Sequence, residues 1–284
     1  MKTAEPIQQI SLWRKEDLFN IDFASYRLSN HSFSKHFHNH YVIELVVKGT
    51  DEFYCNGKNF SANTNQFVFI NPGEVHTGST FSKTPLHYFS LYPDKQTLER
   101  IALRLEMQLP FNFSFKNTLQ NHPHLANKLE ILFKLFGQSF HDSYKEEEIF
   151  TDFMHGLFSL SGKDSLPENL QEDTRVGKLI DFIKSNFKQQ LSLQNFSELL
   201  HLNPFHLLRI FKRTTGVSPY DYLITTRVEF AKTLLKKGSL VQDAAIEAGF
   251  YDTSHFCRLF KRTTGISPKE YRSYKSQYRT IFTA

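Results

Sequence analysis

Two arginines, Arg209 and Arg258, stand at equivalent slots of two related segments, and each is followed three residues later by a basic pair, Lys212-Arg213 and Lys261-Arg262. A guanidinium is a rigid fork of donors that can grip guanine through two hydrogen bonds, an interaction of roughly 1 to 3 kcal/mol in base discrimination. A phosphate contact or a plain surface charge is the alternative for each arginine. The lysine-arginine pairs suit phosphate oxygens, which position a protein on a duplex without specifying sequence.

The segments that carry these groups are copies of one another. Residues 206 to 222 read HLLRIFKRTTGVSPYDY and residues 255 to 271 read HFCRLFKRTTGISPKEY, identical at eleven of seventeen positions. In each copy three apolar residues, Leu207, Ile210 and Phe211 or Phe256, Leu259 and Phe260, fall at helical spacing and form a face to be buried. The opposite face holds Phe205, His206, Leu208 and Arg209 in the first copy, and Thr253, Ser254, His255 and Arg258 in the second. A helix-turn-helix needs this division, because its second helix packs on a partner while offering side chains to a groove. Phe205 and Leu208 could meet thymine methyls or belong to the core; the spacing leaves both open.

Local signals place the copies on helices. Ser192 can cap a helix, Asn203-Pro204 opens another that stops at Gly216, and Ser218-Pro219 opens a third running to Gly238. The second unit repeats the plan, with a short helix from Asp243, a turn at GFYD, a helix from Thr253 to Arg262, a stop at Gly265 and a restart at Ser267-Pro268. The helix between the units, Pro219 to Lys237, would span ~28 Å at 1.5 Å per residue. Successive major-groove faces on one side of B-DNA lie ~34 Å apart, so this helix can hold two reading heads on one duplex.

Charge follows the repeat. Residues 172 to 284 hold 18 Lys and Arg against 10 Asp and Glu, a net of +8, while the first 171 residues hold 16 against 19, a net of −3. A basic segment on a mildly acidic protein points to an anionic partner, most simply nucleic acid. The chain has no apolar run long enough to span a membrane and no apolar signal core near its start, which predicts a cytoplasmic protein. Cys55 and Cys257 are the only cysteines, too few for a disulfide framework or a thiolate metal site.

Residues 20 to about 95 read as short strands (YVIELVV, EFYCNG, QFVFINPG, LHYFSLYP) punctuated by Gly, Pro and Asn, the pattern of a small β-barrel or sandwich. From Asp94 the period becomes helical: Leu125, Leu129, Leu132, Phe133, Phe136 and Phe140 make one apolar stripe, and KEEEIFTDFMHGLFSL begins a second amphipathic helix. The polar segment 162–173, GKDSLPENLQED, reads as the linker.

Two resemblances follow. Residues 175 to 272 resemble the C-terminal domain of the AraC-type bacterial transcription regulators, on the stretch DAAIEAGFYDTSHFCRLFKRTTGISPKEYR with Ala245, Gly249, Phe250, Phe256, Phe260, Gly265, Pro268 and Tyr271 at matching positions. The resemblance implies that both helix-turn-helix units can enter the major groove, and by alignment it nominates Phe205, Leu208 and Arg209, and Thr253, Ser254, His255 and Arg258, for base contacts. Residues 30 to 92 resemble the cupin-like effector-binding domain that many of these regulators carry, on HFHNHYVIELVVKG and FVFINPGEVHTG. His38, His40 and Glu44 fit the cupin spacing HxHxxxE, with His76 as a fourth candidate. Such a donor set could suit Zn, Mn, Fe or Ni, but regulators of this type mostly keep these residues without a metal, so an effector pocket without metal or other cofactor is implied.

The expected protein is therefore α+β with two domains. Residues 1–161 form a cupin-like β-barrel with following helices for effector binding and dimerisation, residues 162–173 a linker, and residues 174–284 an all-α domain with two helix-turn-helix units. It acts as a DNA-binding transcription regulator, an activator, controlled by a small molecule or partner at the N-terminal domain. Its partners are promoter DNA, RNA polymerase and a second copy of itself. The competing class is a metal-dependent cupin enzyme with an appended DNA-binding domain, and metal analysis separates the two. A DNA-repair methyltransferase fusion would need a reactive cysteine constellation that two scattered cysteines do not supply.

Overall fold

The computed structural model describes residues 8–29, 31–80, 85–107, 113–138, 142–160, 174–273 and 279–282. The expected linker and Phe140 lie outside them. No helix among the described residues is long and apolar enough to cross a membrane.

Two antiparallel sheets build the N-terminal half. The larger contains β1 (Gln8–Lys15), β2 (Ile21–Leu28), β4 (Val42–Lys48), β7 (Gln66–Ile70), β9 (Leu86–Leu91), β10 (Leu119–Asn121) and β11 (Arg279–Phe282), in the order β10-β7-β4-β9-β2-β1-β11. The smaller contains β3 (His31–His36), β5 (Thr50–Cys55), β6 (Lys58–Asn63) and β8 (His76–Thr80), in the order β3-β8-β5-β6. The expected barrel is not closed, because among the described residues no ladder joins an edge of one sheet to an edge of the other. Short strands with regular turns fit a closed or an open arrangement equally well. Here side chains of the C-terminal helices share one buried cluster with the face of the large sheet that carries Tyr26 and Tyr88.

Alternation along the strands gives the large sheet two buried faces. Phe23, Ile43, Leu45, Phe67, Phe69 and Leu91 pack against α1 (Lys95–Arg104), α2 (Pro123–Phe136) and α3 (Ser143–Phe158). The helical stripe expected there, Leu125, Leu129, Leu132, Phe133 and Phe136, is buried in that contact. Trp13 of β1 fixes the layer: its indole N–H donates to the carbonyl of Phe136 at 3.1 Å, and its ring meets Phe133 edge-on at 5.5 Å. The strand pattern legible in the sequence starts at residue 20 and so misses β1, as well as its antiparallel partner β11 at the far end of the chain.

The opposite face carries Tyr26, Leu28, Val42, Val46, Val68, Ile70, Leu86 and Tyr88. These residues belong to one continuous cluster with Ile224, Val228, Phe256, Phe260, Ile266 and Tyr271 of the C-terminal half. That half is all helical from residue 174 to residue 272: α4 (Thr174–Asn186), α5 (Leu193–Leu200), α6 (Pro204–Thr215), α7 (Pro219–Lys236), α8 (Val241–Glu247), α9 (Thr253–Thr264) and α10 (Pro268–Arg272). The caps are those the sequence announces. Ser192 and Ser267 make capping boxes, Asn203 and Ser218 accept from backbone N–H groups inside their helices, and Gly216 and Gly265 end α6 and α9 in the left-handed conformation.

Candidate nucleic-acid interface and effector chamber

The two helix pairs α5–α6 and α8–α9 are joined by α7, whose 18 residues span about 27 Å at 1.5 Å per residue. In α6 the residues Leu207, Ile210 and Phe211 are buried, and in α9 so are Phe256, Leu259 and Phe260. The candidate reading residues lie on the other side. Arg209, Ser254 and Arg258 are exposed, and Leu208, Thr253 and His255 are partly so. Phe205 is 83% exposed, so it does not belong to the core. The cations Lys212, Arg213, Lys261 and Arg262 are exposed on the last turn of their helices.

Both heads rest on the β-sheets at their matching glycine stops. A Cβ built on Gly216 would lie 3.3 Å from Val75, and one on Gly265 3.2 Å from Phe33, so each recognition helix ends in contact with the strand domain. Phe37 stacks on Tyr222 of α7 with centroids 4.4 Å apart, and Arg14 lies over the ring of Tyr271. Asp22 of β2 pairs with Lys236 at 2.5 Å and with Arg14 at 2.7 Å. Burial raises the carboxyl of Asp22, but Lys236 and Arg14 outweigh burial and hold it below its ordinary value. The contribution of this lock is therefore fully present above the unfolded pKa of about 3.9 and is lost as pH falls through the lower folded value.

A cavity of about 720 Å³ lies between the halves. Its inner wall comes from the sheets and includes Tyr26, Glu44, Asp51, Phe53 and Tyr88, while Glu229, Lys232 and Thr233 of α7 line the other side. All four residues singled out by the HxHxxxE pattern line it, but they do not form one group. Glu44 lies with Asp51 and Ser90, its Oε1 buried without a hydrogen-bond partner, and burial together with Asp51 pushes its carboxyl well above the usual range. His40 turns toward α7, with Nδ1 3.6 Å from Glu229. His38 and His76 converge instead with His36, which the spacing pattern passes over. The signal was present in HFHNH: alternate positions on a strand share a face, so His36 sits in phase with His38.

The model of an AraC-like ligand binding domain matches residues 18–154, and that of a helix-turn-helix domain matches residues 196–274. The HTH-type regulator YbfI of Bacillus subtilis is 27% identical over 226 residues, covering 78% of this chain and 80% of that protein. The lactose operon transcription activator of Staphylococcus xylosus is 23% identical over 217 residues, 74% of this chain and 76% of that protein. Among solved structures, ToxT of Vibrio cholerae shares the fold, with a TM-score of 0.55 and 18% identity over 89% of this chain and 97% of that one; a form with bound unsaturated fatty acid gives a TM-score of 0.51, 18% identity and 96% coverage of each chain. A ligand-binding half and a DNA-binding half thus meet in the order and over the length of these regulators, and the chain belongs to the AraC-type transcription regulators.

Proposed function

We propose that the chain activates transcription when a small neutral polyhydroxylated molecule, a sugar or sugar derivative, occupies the chamber between its halves. The observation that carries this reading is that one cavity is walled both by the sheets and by α7, the helix joining the two reading heads. A molecule bound there touches the element that sets the spacing of the heads. Occupancy and DNA engagement are then coupled through shared contacts.

The chemistry of the walls selects the ligand class. Glu44 and Asp51 offer acceptors to hydroxyl donors, and the stacked rings of Tyr26 and Tyr88, 4.7 Å apart, present apolar surface beside them. ToxT takes a fatty acid, but a carboxylate here would approach the Glu44–Asp51 pair, and two lysines of α7 are already engaged, Lys232 with Glu229 at 2.8 Å and Lys236 with Asp22. That one relative is a lactose operon activator supports the same class. Calorimetric titration of the full chain with mono- and disaccharides and with an unsaturated fatty acid tests it. A saccharide should bind, and Glu44→Gln should weaken it roughly tenfold by replacing a carboxyl oxygen that accepts with an amide nitrogen that can only donate. Binding of the fatty acid alone would sink the proposal.

On DNA, Arg209 and Arg258 read bases together with Phe205, Leu208, Thr253, Ser254 and His255, while the lysine-arginine pairs hold phosphates. Arg258→Ala is expected to lose preference at one base pair, about 1 to 3 kcal/mol, with a smaller change in overall affinity. Binding measured on a set of single-base variants decides this, and a uniform loss on every site would reassign Arg258 to phosphate. The same reading has two copies on neighbouring half-sites, joined through the helices α2 and α3 of the N-terminal half, with RNA polymerase as a further partner.

A further inference from the structure

We propose that Arg227, in the middle of α7, clamps the two helix-turn-helix units to each other and thereby fixes the spacing of the DNA segments that the protein reads. Each unit hangs from one end of α7, the first through the turn at Gly216 and the second through the turn at Gly238. A Cβ on Gly238 would meet nothing within 4 Å, so that turn alone leaves the second unit room to pivot. A contact between the units closes the triangle and removes that freedom.

Arg227 builds that contact toward the first unit through its hydrogen bonds. The residue is buried, and its Nε donates to the carbonyl of Phe187 while Nη2 donates to that of Gln189, each at 2.7 Å. Both carbonyls belong to the loop between α4 and α5, just before the Ser192 cap of α5. A buried cation is costly unless its donors are met, and the planar fork of arginine meets two carbonyls at once. One turn further along α7, Phe230 holds the same loop: its ring lies 5.1 Å from that of Phe187, and Nζ of Lys188 lies 4.4 Å from its centroid.

Toward the second unit the guanidinium lies over the ring of Phe250, 5.8 Å from its centroid, in the turn between α8 and α9. Phe250 is buried and packs on α9, with its ring 5.0 Å from that of Phe256 and edge-on to that of the candidate reading residue His255 at 6.3 Å. The loop and the turn also touch directly. Gln190 donates from Nε2 to the carbonyl of Gly249 at 3.4 Å, and a Cβ on Gly249 would stand 2.6 Å from the carbonyl oxygen of Lys188. Loop, helix and turn thus form one joint, and Arg227 of the helix reaches both of the others.

The joint makes the two heads a gauge of distance along the duplex. One extra base pair between the two DNA segments displaces one of them by about 3.4 Å and turns it by about 34° about the axis. Heads free to pivot absorb such a change, whereas clamped heads lose one set of contacts. Arg227 is buried and holds the loop and the turn, so it acts on DNA through the placement of the heads, as a positioning residue.

The inference rests on the reading that both heads engage one duplex, and its test separates the two. The probe is a DNA fragment selected from a random pool by the full chain, with the protected grooves mapped by footprinting. Two derivatives are made, one with a single base pair inserted between the protected segments and one with the segment under α6 scrambled. Affinities follow from fluorescence anisotropy. The inserted base pair should cost the parent at least about a hundredfold, the lower end of what joining two modules contributes, and should cost Arg227→Ala less than about tenfold. Arg227→Lys, which keeps the charge and loses the planar fork, takes its place if the alanine variant does not fold by circular dichroism. A general loss of stability lowers the active fraction on every fragment alike and cancels in the ratio of affinities. An Arg227 variant that keeps the parent's ratio would overturn the clamp and leave two-headed docking in place. A parent indifferent to scrambling would overturn two-headed docking, and the clamp with it.

Discussion

Gly249→Ala should lower the stability of the folded chain by about 3 kcal/mol, while Gly238→Ala should cost only about 1 kcal/mol, although both glycines have positive φ. Gly249 turns the chain between α8 and α9 with φ of +85°, and Gly238 ends the turn after α7 with φ of +94°. An L-residue in the left-handed region costs roughly 1 to 2 kcal/mol, a penalty common to both substitutions. The difference lies in what the new methyl meets. At Gly238 nothing stands within 4 Å, whereas at Gly249 a Cβ would lie 2.6 Å from the carbonyl oxygen of Lys188 and 2.8 Å from its Cα. That backbone cannot easily retreat. Arg227, itself buried, donates from Nε to the carbonyl of Phe187 and from Nη2 to that of Gln189, each at 2.7 Å, so moving Lys188 strains a guanidinium with few alternatives. Overpacking of this kind adds about 1 to 3 kcal/mol. At roughly 2 to 4 °C per kcal/mol, Gly249→Ala should melt some 6 to 12 °C lower than the parent. Thermal unfolding of the two variants side by side is the check, and equal shifts would mean that the approach to Lys188 is not tight.

Gly249, Phe250 and the repeat are legible in the chain alone because they obey local rules: helical spacing, caps, a left-handed turn. Strands β4, β5, β7 and β9 are legible for the same reason, through alternation and turn residues. Closure is not, because whether sheet edges meet depends on what fills the space between them, and here Phe256, Phe260 and Tyr271 of the C-terminal half pack into the same cluster as Tyr26 and Tyr88. Strand β1 escapes notice since its residues, QQISLWRK, alternate with too few turn signals around them, and only pairing with β2 gives them a place. At the chamber, the motif spacing draws attention to His38, His40, Glu44 and His76, of which the structure groups His38 and His76 with His36 and turns His40 and Glu44 elsewhere. What separates them is the register shift in β3 and the arrival of Glu229 from more than 180 residues away, neither of which leaves a mark at the motif itself.

The shared cluster bears on how control can work. The glycine stops of both recognition helices touch the strand domain, at Val75 and at Phe33, and α7 is held at Tyr222, Glu229 and Lys236. The heads are thus not free to seek their spacing independently of the chamber. A ligand need not move a domain far: a change in the chamber wall of α7 alters the support of both heads at once. A small shift between two packed arrangements suffices, because packed interfaces tend to switch and not to deform smoothly.

Removing the four cations proposed to hold phosphates should produce the largest change in DNA binding. With Lys212, Arg213, Lys261 and Arg262 all replaced by alanine, the slope of log affinity against log salt should become shallower by about 3.6, from about 0.9 for each phosphate that is no longer neutralised. Among the described residues none of the four stands in an ion pair, and all are exposed, so their removal should leave the fold nearly unchanged apart from a favourable helix-end charge of about 0.3 to 1 kcal/mol each. The pairs are also worth removing separately. α7 spans about 27 Å, short of the ~34 Å between successive major grooves, so both heads reach one duplex only if the helix-turn-helix units supply the remainder or the DNA bends. If both heads dock, Lys212→Ala with Arg213→Ala and Lys261→Ala with Arg262→Ala should each flatten the slope by about 1.8. Fluorescence anisotropy on one operator fragment across a salt series measures this. A slope that responds only to the α9 pair would mean that the first head, with its apolar Phe205 and Leu208, stays off the backbone. An unchanged slope in both would remove these cations from the interface altogether.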